Sequence, residues 1–101
     1  MTDVLVLAPE NLNQATRVEF RDAALAALQQ LGQEPGGRLV LDVSATQRVD
    51  SSGLGTLVVL QLRASEKKHS VCLRGASEEI RFLLLMTRLD DRFIIEPPAQ
   101  A

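Results

Sequence analysis

The chain has 101 residues, of which 46% are hydrophobic and 24% are charged, and its formal net charge is −2. This length and balance fit one soluble globular domain with a single modest core. The acidic and basic residues number 13 and 11, Trp and Tyr are absent, and only three Phe occur. A nucleic-acid-binding role is disfavoured, since the chain has neither a basic block nor the aromatic platforms on which bases stack.

Two reactive residue types occur only once each, as His69 and Cys72. A single cysteine excludes an intramolecular disulfide, and one His with one Cys makes a metal cluster implausible, so no metal or other cofactor is expected. No apolar stretch approaches the roughly 20 residues of a membrane span. The N-terminus lacks the basic region and cleavage site of a signal peptide, so we expect a cytoplasmic protein without membrane insertion.

The first half of the chain predicts strand, helix and strand. "VLVL", Val4 to Leu7, indicates a buried strand. The next segment predicts a helix that is capped by Asn13, presents apolar residues at Val18, Ala24 or Leu25, Leu28 and Leu31, and stops at Gly32. "RLVLDVS", residues 38–44, is rich in Leu and Val and predicts a central strand, and the loop "ATQRV" follows it.

The second half repeats the alternation. A helix is predicted from about Ser52 to Lys67, then a strand over residues 70–75. Ser77 with two glutamates starts a third helix, which suits the acids because they lie at its positive end. Its apolar stripe is predicted at Ile80, Leu83, Met86 and Leu89. "FIIE", residues 93–96, predicts a last short strand.

This order, β-α-β-α-β-α-β, predicts an α/β fold in which helices pack against a small, mostly parallel sheet. We expect one domain over residues 1–97 and a disordered C-terminal tail over residues 98–101. Four consecutive apolar residues in "FLLL" cannot all face one side of the third helix. Some of residues 82–85 are therefore a candidate dimer or partner surface, although most of this run is expected in the core.

The segment "RVDSSGLG", residues 48–55, places an acid, two serines and two glycines at the start of the second helix, just beyond the end of a predicted strand. This position is where α/β folds commonly bind ligands and partners. The spacing nevertheless fails the patterns of a serine hydrolase, a phosphate-binding loop and a dinucleotide fingerprint. His69 follows at the far end of the same helix, about 25 Å away at about 1.5 Å per residue. An enzyme is therefore not expected.

Two interpretations of this segment stay open on the residues alone. Asp50, Ser51 or Ser52 is a helix cap and nothing more. Alternatively, an exposed hydroxyl at the helix start is a phosphorylation site, since a phosphate adds about −1.5 to −2 charges and would repel a docked partner while the fold stays intact.

"LVLDVSATQRVDSSGLGTLVVL" resembles the signature of STAS domains, specifically the bacterial family of anti-sigma factor antagonists, and the similarity continues through "LRGASEEIRFLLLMTRLDDRFII". The resemblance implies a protein-binding switch in signal transduction and transcription regulation. Its phosphoacceptor would be Ser51, modified by a GHKL-type anti-sigma factor that is also a serine kinase, and a PP2C-type phosphatase would reset it.

The other motif positions take roles from the same resemblance. Asp50 would flank the acceptor and Ser52 would help to start the helix, while Gly53 and Gly55 would keep the surface low for docking. Further candidate partner contacts are Thr56, which is four residues after Ser52 and so could share its docking face, Arg48 in the loop near the motif, and Asn13 of the segment before the first helix.

Two features depart from the family pattern. Members usually carry a strand before the one equivalent to "VLVL", so the sheet is expected to lack its first strand and to expose an edge through which a homodimer could form. The segment "ENLN", residues 10–13, also replaces a family G-x-L-D, and the carboxylate associated with partner contact is missing. These departures favour one alternative, a constitutive accessory subunit of a lipid-transport ABC complex or other signalling assembly. The resemblance also implies a small-ligand sensor as a further alternative, because STAS domains can bind nucleotides or other small molecules, but the chain supplies no specific ligand constellation.

Overall fold

The computed structural model describes residues 2–98, so the predicted tail lies almost wholly outside the described residues. Its elements are β1 Asp3–Leu7, β2 Asn11–Leu12, α1 Arg17–Gln30, β3 Arg38–Asp42, β4 Arg48–Val49, α2 Ser51–Glu66, β5 Ser70–Arg74, α3 Glu78–Met86 and β6 Ile94–Glu96. A 3-10 turn, Asp90–Arg92, precedes β6.

The main sheet has the order β1-β3-β5-β6, and all of its pairings are parallel. Each of the three connections moves one strand further in the same direction. Because such crossovers are right-handed, they place all three helices on one face of the sheet. One core confirms this arrangement, since Leu39 and Leu73 of the strands belong to the same buried cluster as Leu57 of α2 and Leu84 of α3. The predicted α/β fold is confirmed.

The predicted buried strand near the N-terminus is instead a half-exposed edge strand. Within residues 2–98, β1 pairs only with β3, and Leu5 and Leu7 are 56% and 72% exposed. The hydrophobic run misled the prediction because only Val4 and Val6 pack against the helix-covered core, whereas Leu5 and Leu7 point to the opposite face of the sheet. A homodimer through this edge stays a prediction.

The two amphipathic helices differ from expectation in which residues they bury. Helix α1 begins at Arg17, and it buries Phe20 while Val18 is exposed. Helix α3 begins after its predicted cap Ser77, whose hydroxyl accepts from the amide of Ile80. It buries Ile80 and Leu84, residues i and i+4, whereas Met86 is 65% exposed. The predicted stripe, with a spacing of three residues, moves progressively off the buried face because an α-helix has about 3.6 residues per turn.

A second, two-stranded parallel sheet was not predicted. It joins Asn11–Leu12 to Arg48–Val49, and the second of these segments lies in the predicted loop "ATQRV". The amide of Asp50 continues this pairing by donating to the Leu12 carbonyl at 3.2 Å. The β1–α1 connection is therefore fixed directly against the start of α2.

The one histidine has a structural position. His69 is buried, its Nδ1 accepts from the Gly37 amide at 3.0 Å, and its Nε2 lies 3.1 Å from the Gly32 carbonyl oxygen, to which it donates in the matching tautomer. The ring therefore ties the α1–β3 loop to the beginning of β5.

We expect His69→Ala to lower the free energy of unfolding by about 1–3 kcal/mol, because it leaves the buried Gly37 amide without an acceptor. His69→Asn should cost less, since its Oδ1 can replace Nδ1 as that acceptor. Urea denaturation of the two variants and the parent measures the difference. Equal losses in both variants would contradict the role given to this hydrogen bond.

The two glycines of α2 allow a matched comparison. A Cβ added at Gly53 would lie 2.8 Å from Leu12 Cγ and closer still to the Leu12 carbonyl oxygen, whereas one added at Gly55 would meet nothing within 4 Å. We expect Gly53→Ala to destabilise the fold by about 1–3 kcal/mol through overpacking. Gly55→Ala should stabilise it by up to about 1 kcal/mol through helix propensity. Thermal and urea unfolding check both signs.

Candidate functional site

The start of α2 is capped by one residue of the motif. Asp50 has an extended backbone, with φ −91° and ψ −174°, and its Oδ1 accepts from the Gly53 amide at 2.9 Å. Its carbonyl accepts from the Leu54 amide and so begins the helical ladder. The cap interpretation therefore holds for Asp50, and the cap requires neither serine hydroxyl.

The two serines differ in exposure. Ser51 is the first residue of α2 and is exposed, and among residues 2–98 its hydroxyl makes no hydrogen bond. Ser52 is half-buried, and its carbonyl accepts from the hydroxyl of Thr56 at 3.0 Å. The structure thus leaves Ser51 as the accessible hydroxyl of the pair, at a helix end whose first amides favour negative charge.

Two of the predicted contact residues are turned into the domain. Gly53 is buried, and it permits the backbone of Leu12 to approach α2, so its role is internal and not that of lowering a docking surface. Thr56 is only 5% exposed and its hydroxyl donates to the Ser52 carbonyl, so it does not form the exposed docking face that its spacing from Ser52 predicted. Gly55 is exposed to open space, in agreement with a low surface.

The remaining predicted residues lie on the segments that flank the helix start. Arg48 is exposed on β4, two residues before the cap. Asn13 follows β2, which pairs with β4, and its Oδ1 accepts from the amides of Ala15 and Thr16 at 2.9 and 3.2 Å. Asn13 therefore organises the turn before α1, whose N-cap is Thr16.

A groove of about 540 Å³ adjoins the motif. Phe82 and Leu83 of the predicted candidate surface line it, whereas their position beside the motif was not predicted. One wall is the segment Gln47–Asp50 and the other is α3. The residues that line it are Gln47, Arg48, Val49, Asp50, Glu79, Ile80, Phe82, Leu83 and Met86. Its apolar part is accessible, since Phe82 is 60% and Met86 65% exposed, and the charged residues Arg48, Asp50 and Glu79 also line it. The "FLLL" run was the sequence signal for this surface.

Groups suited to other chemistry are lacking at the motif. Among residues 2–98, no three His, Cys, Asp or Glu side chains are grouped so that they could hold a metal ion. Cys72 lies in the sheet, where burial raises the pKa of its thiol to about 11, so the reactive thiolate is disfavoured. Over the same residues, no helix is both long and apolar enough to cross a membrane.

Comparison with known proteins agrees with this geometry. The family model described as "Mlab, STAS domain" matches residues 2–96. The crystal structure of a Thermotoga maritima protein, TM1081, provisionally described as an anti-sigma factor antagonist, is similar with a TM-score of 0.74 and 22% identity, over 91% of this chain and 78% of that one. The NMR structure of TM1081 gives a TM-score of 0.76 and 21% identity, over 95% and 74%.

The structural likeness, at this level of identity, shows a shared fold, while the family model covers almost the whole chain. The capped helix start with its free serine lies inside the matched residues. The chain belongs to the STAS domain family.

Proposed function

We propose that this domain is an anti-sigma factor antagonist-like switch that binds a protein partner and is released when Ser51 is phosphorylated. The observation that carries the proposal is that Asp50, and not Ser51, caps the start of α2. Asp50 performs the cap, so the neighbouring hydroxyl of Ser51 is exposed and has no structural duty among the described residues. The partner by family resemblance is an anti-sigma factor with serine kinase activity, and a serine phosphatase reverses the modification.

The charge around Ser51 explains how a phosphate would act. Asp50 precedes Ser51 in the chain, and Glu79 stands on the opposite wall of the groove. A phosphate adds about −1.5 to −2 charges to this edge. The amides at the start of α2 can accept that charge within the domain, so the fold tolerates it. A docked partner with an acidic or apolar edge would instead meet repulsion and an uncompensated desolvation cost.

The groove supplies a surface for the unmodified state. Its apolar residues Phe82 and Met86 lie four positions apart on α3 and therefore on the same side of that helix. Exposed apolar side chains grouped beside a polar rim are typical of protein contact sites. Because Asp50 lines this groove and Ser51 follows it, a change in charge at the hydroxyl falls at the border of the proposed contact.

We expect the GHKL-type kinase encoded nearest to this gene to transfer one phosphate to the wild type and none to Ser51→Ala, as read by intact mass. Binding to that kinase by calorimetry should weaken about tenfold or more in Ser51→Asp, because the added charge opposes contact.

Ser52→Ala is the matched control and should accept phosphate and bind like the wild type. Phosphate that persists in Ser51→Ala would contradict the assignment of the acceptor. Undiminished binding by Ser51→Asp, with an unchanged melting temperature, would contradict the switch.

A second candidate function is a constitutive subunit of a lipid-transport ABC complex. The apolar surface of α3 favours it, since Phe82 and Met86 are exposed without any modification of Ser51. In this role α3 would dock permanently and the serine would not regulate the contact.

For this second function we expect co-purification with an ABC-type ATPase of the same genome to survive Ser51→Asp but to be lost in Phe82→Glu, since a charge would enter the apolar contact. Val59→Glu, at a 40% exposed position of α2, is the matched surface control. Loss of the complex with Ser51→Asp would favour the switch instead.

A further inference from the structure

The sheet has one face that no helix covers. Because the three helices share the other face, alternate strand residues point to a side on which the described chain places no further element. All-parallel sheets are otherwise covered on both faces almost without exception. This uncovered side of the sheet, the bare face, therefore lacks the packing partner that a parallel sheet normally has.

The strand register gives the side chains of the bare face in rows. The middle row is apolar and runs across all four strands as Leu5, Val40, Cys72 and Ile94. Val40 and Cys72 are buried by their neighbours, whereas the two ends of the row, Leu5 and Ile94, are 56% and 40% exposed.

Charged residues flank the apolar row at both ends of the strands. Arg38 bonds Asp3 through two nitrogens, at 3.1 and 2.8 Å, on one side of the row. On the other side, Arg74 bonds Glu96 through Nε at 3.0 Å, and Asp42 lies beside Arg74 in the register. The exposed apolar surface of this face therefore lies at its two edges, with Leu5 and Leu7 on β1 and Ile94 on β6, and charges of both signs lie on the strands between them.

We propose that a second copy of this chain packs against the bare face, about a two-fold axis parallel to the strands. This axis places β1 over the partner's β6 and β3 over the partner's β5. Each exposed Leu5 then covers the Ile94 of the other copy, and each Asp42 faces an Arg74 across the interface. Two sheets that pack in this way keep their strands within about 30° of each other, at a separation of about 10 Å.

The alternative two-fold axis, perpendicular to the strands, is less well matched. It would require Arg38 to bond the Asp42 of the other copy while its Nε and Nη2 hold Asp3, which leaves Nη1 as the one nitrogen not already bonded. Arg74 is the better donor across an interface, because its one hydrogen bond in the described structure uses Nε.

The size of the face sets the expected strength. Four strands of about five residues span roughly 19 Å by 17 Å, which is small beside the interfaces of stable dimers. We expect a reversible dimer with a dissociation constant of about 10 μM or weaker. The parallel axis leaves both Ser51 sites free and at the same end of the dimer, so the inference is independent of the proposed function.

Sedimentation equilibrium of the wild type from about 1 μM to 1 mM tests the dimer. Leu5→Lys and Ile94→Glu should each be monomeric alone, since a charge would face an apolar side chain twice in each homodimer. An equal mixture of the two variants should recover the dimer, because the new lysine of one chain meets the new glutamate of the other. Such a rescue requires contact between chains, since the two positions lie on opposite edges of one sheet.

Leu62→Lys, at a 50% exposed position of α2, is the matched control and should dimerise like the wild type. Circular dichroism melts establish that each variant is folded. A wild type that stays monomeric up to about 1 mM would overturn the proposal. A wild-type dimer that both variants retain, or a mixture that shows no rescue, would overturn this arrangement of the two copies.

Discussion

The geometry of the site depends on one close approach between backbones. The carbonyl of Leu12 reaches α2 at a position that only a glycine leaves open, and it accepts from the Asp50 amide at the same place. This contact, together with the short β2–β4 pairing, sets the direction in which α2 leaves the sheet edge. Ser51 is exposed as a consequence, because Gly53, two residues later, is buried against Leu12 and so fixes which side of α2 faces the domain.

The same contact explains why two glycines stand so near each other in a helix that each of them weakens. Gly53 is required by packing, since any side chain there would meet the Leu12 backbone. A Cβ added at Gly55 would have no atom within 4 Å, so packing among the described residues does not require a glycine there, although glycine destabilises the helix. Gly55 lies on the exposed side of the motif, where the proposed partner contact would explain a residue without a side chain.

The strand and helix order could be predicted because apolar runs, caps and turn residues are local signals. Ser77 is an example, since it caps the helix whose start its position indicates. The β2–β4 pairing could not be predicted, because two residues on each side carry no periodic pattern and the contact joins segments far apart in the chain. The burial of β1 was predicted wrongly for a related reason: its apolar run does not show that one face of the sheet is left uncovered, and Leu5 and Leu7 point to that face.

The site was therefore predictable in chemistry but not in shape. The sequence indicated a hydroxyl at a helix start, whereas the assignment of the cap to Asp50 needed the hydrogen bond to Gly53. Thr56 illustrates the limit, since a spacing of four residues places two side chains on one side of a helix without telling whether that side faces solvent. Because the Thr56 side chain is buried in the domain, the exposed surface at the start of α2 consists of Ser51, Gly55 and the adjoining groove wall. A partner that distinguishes the two phosphorylation states would contact this surface.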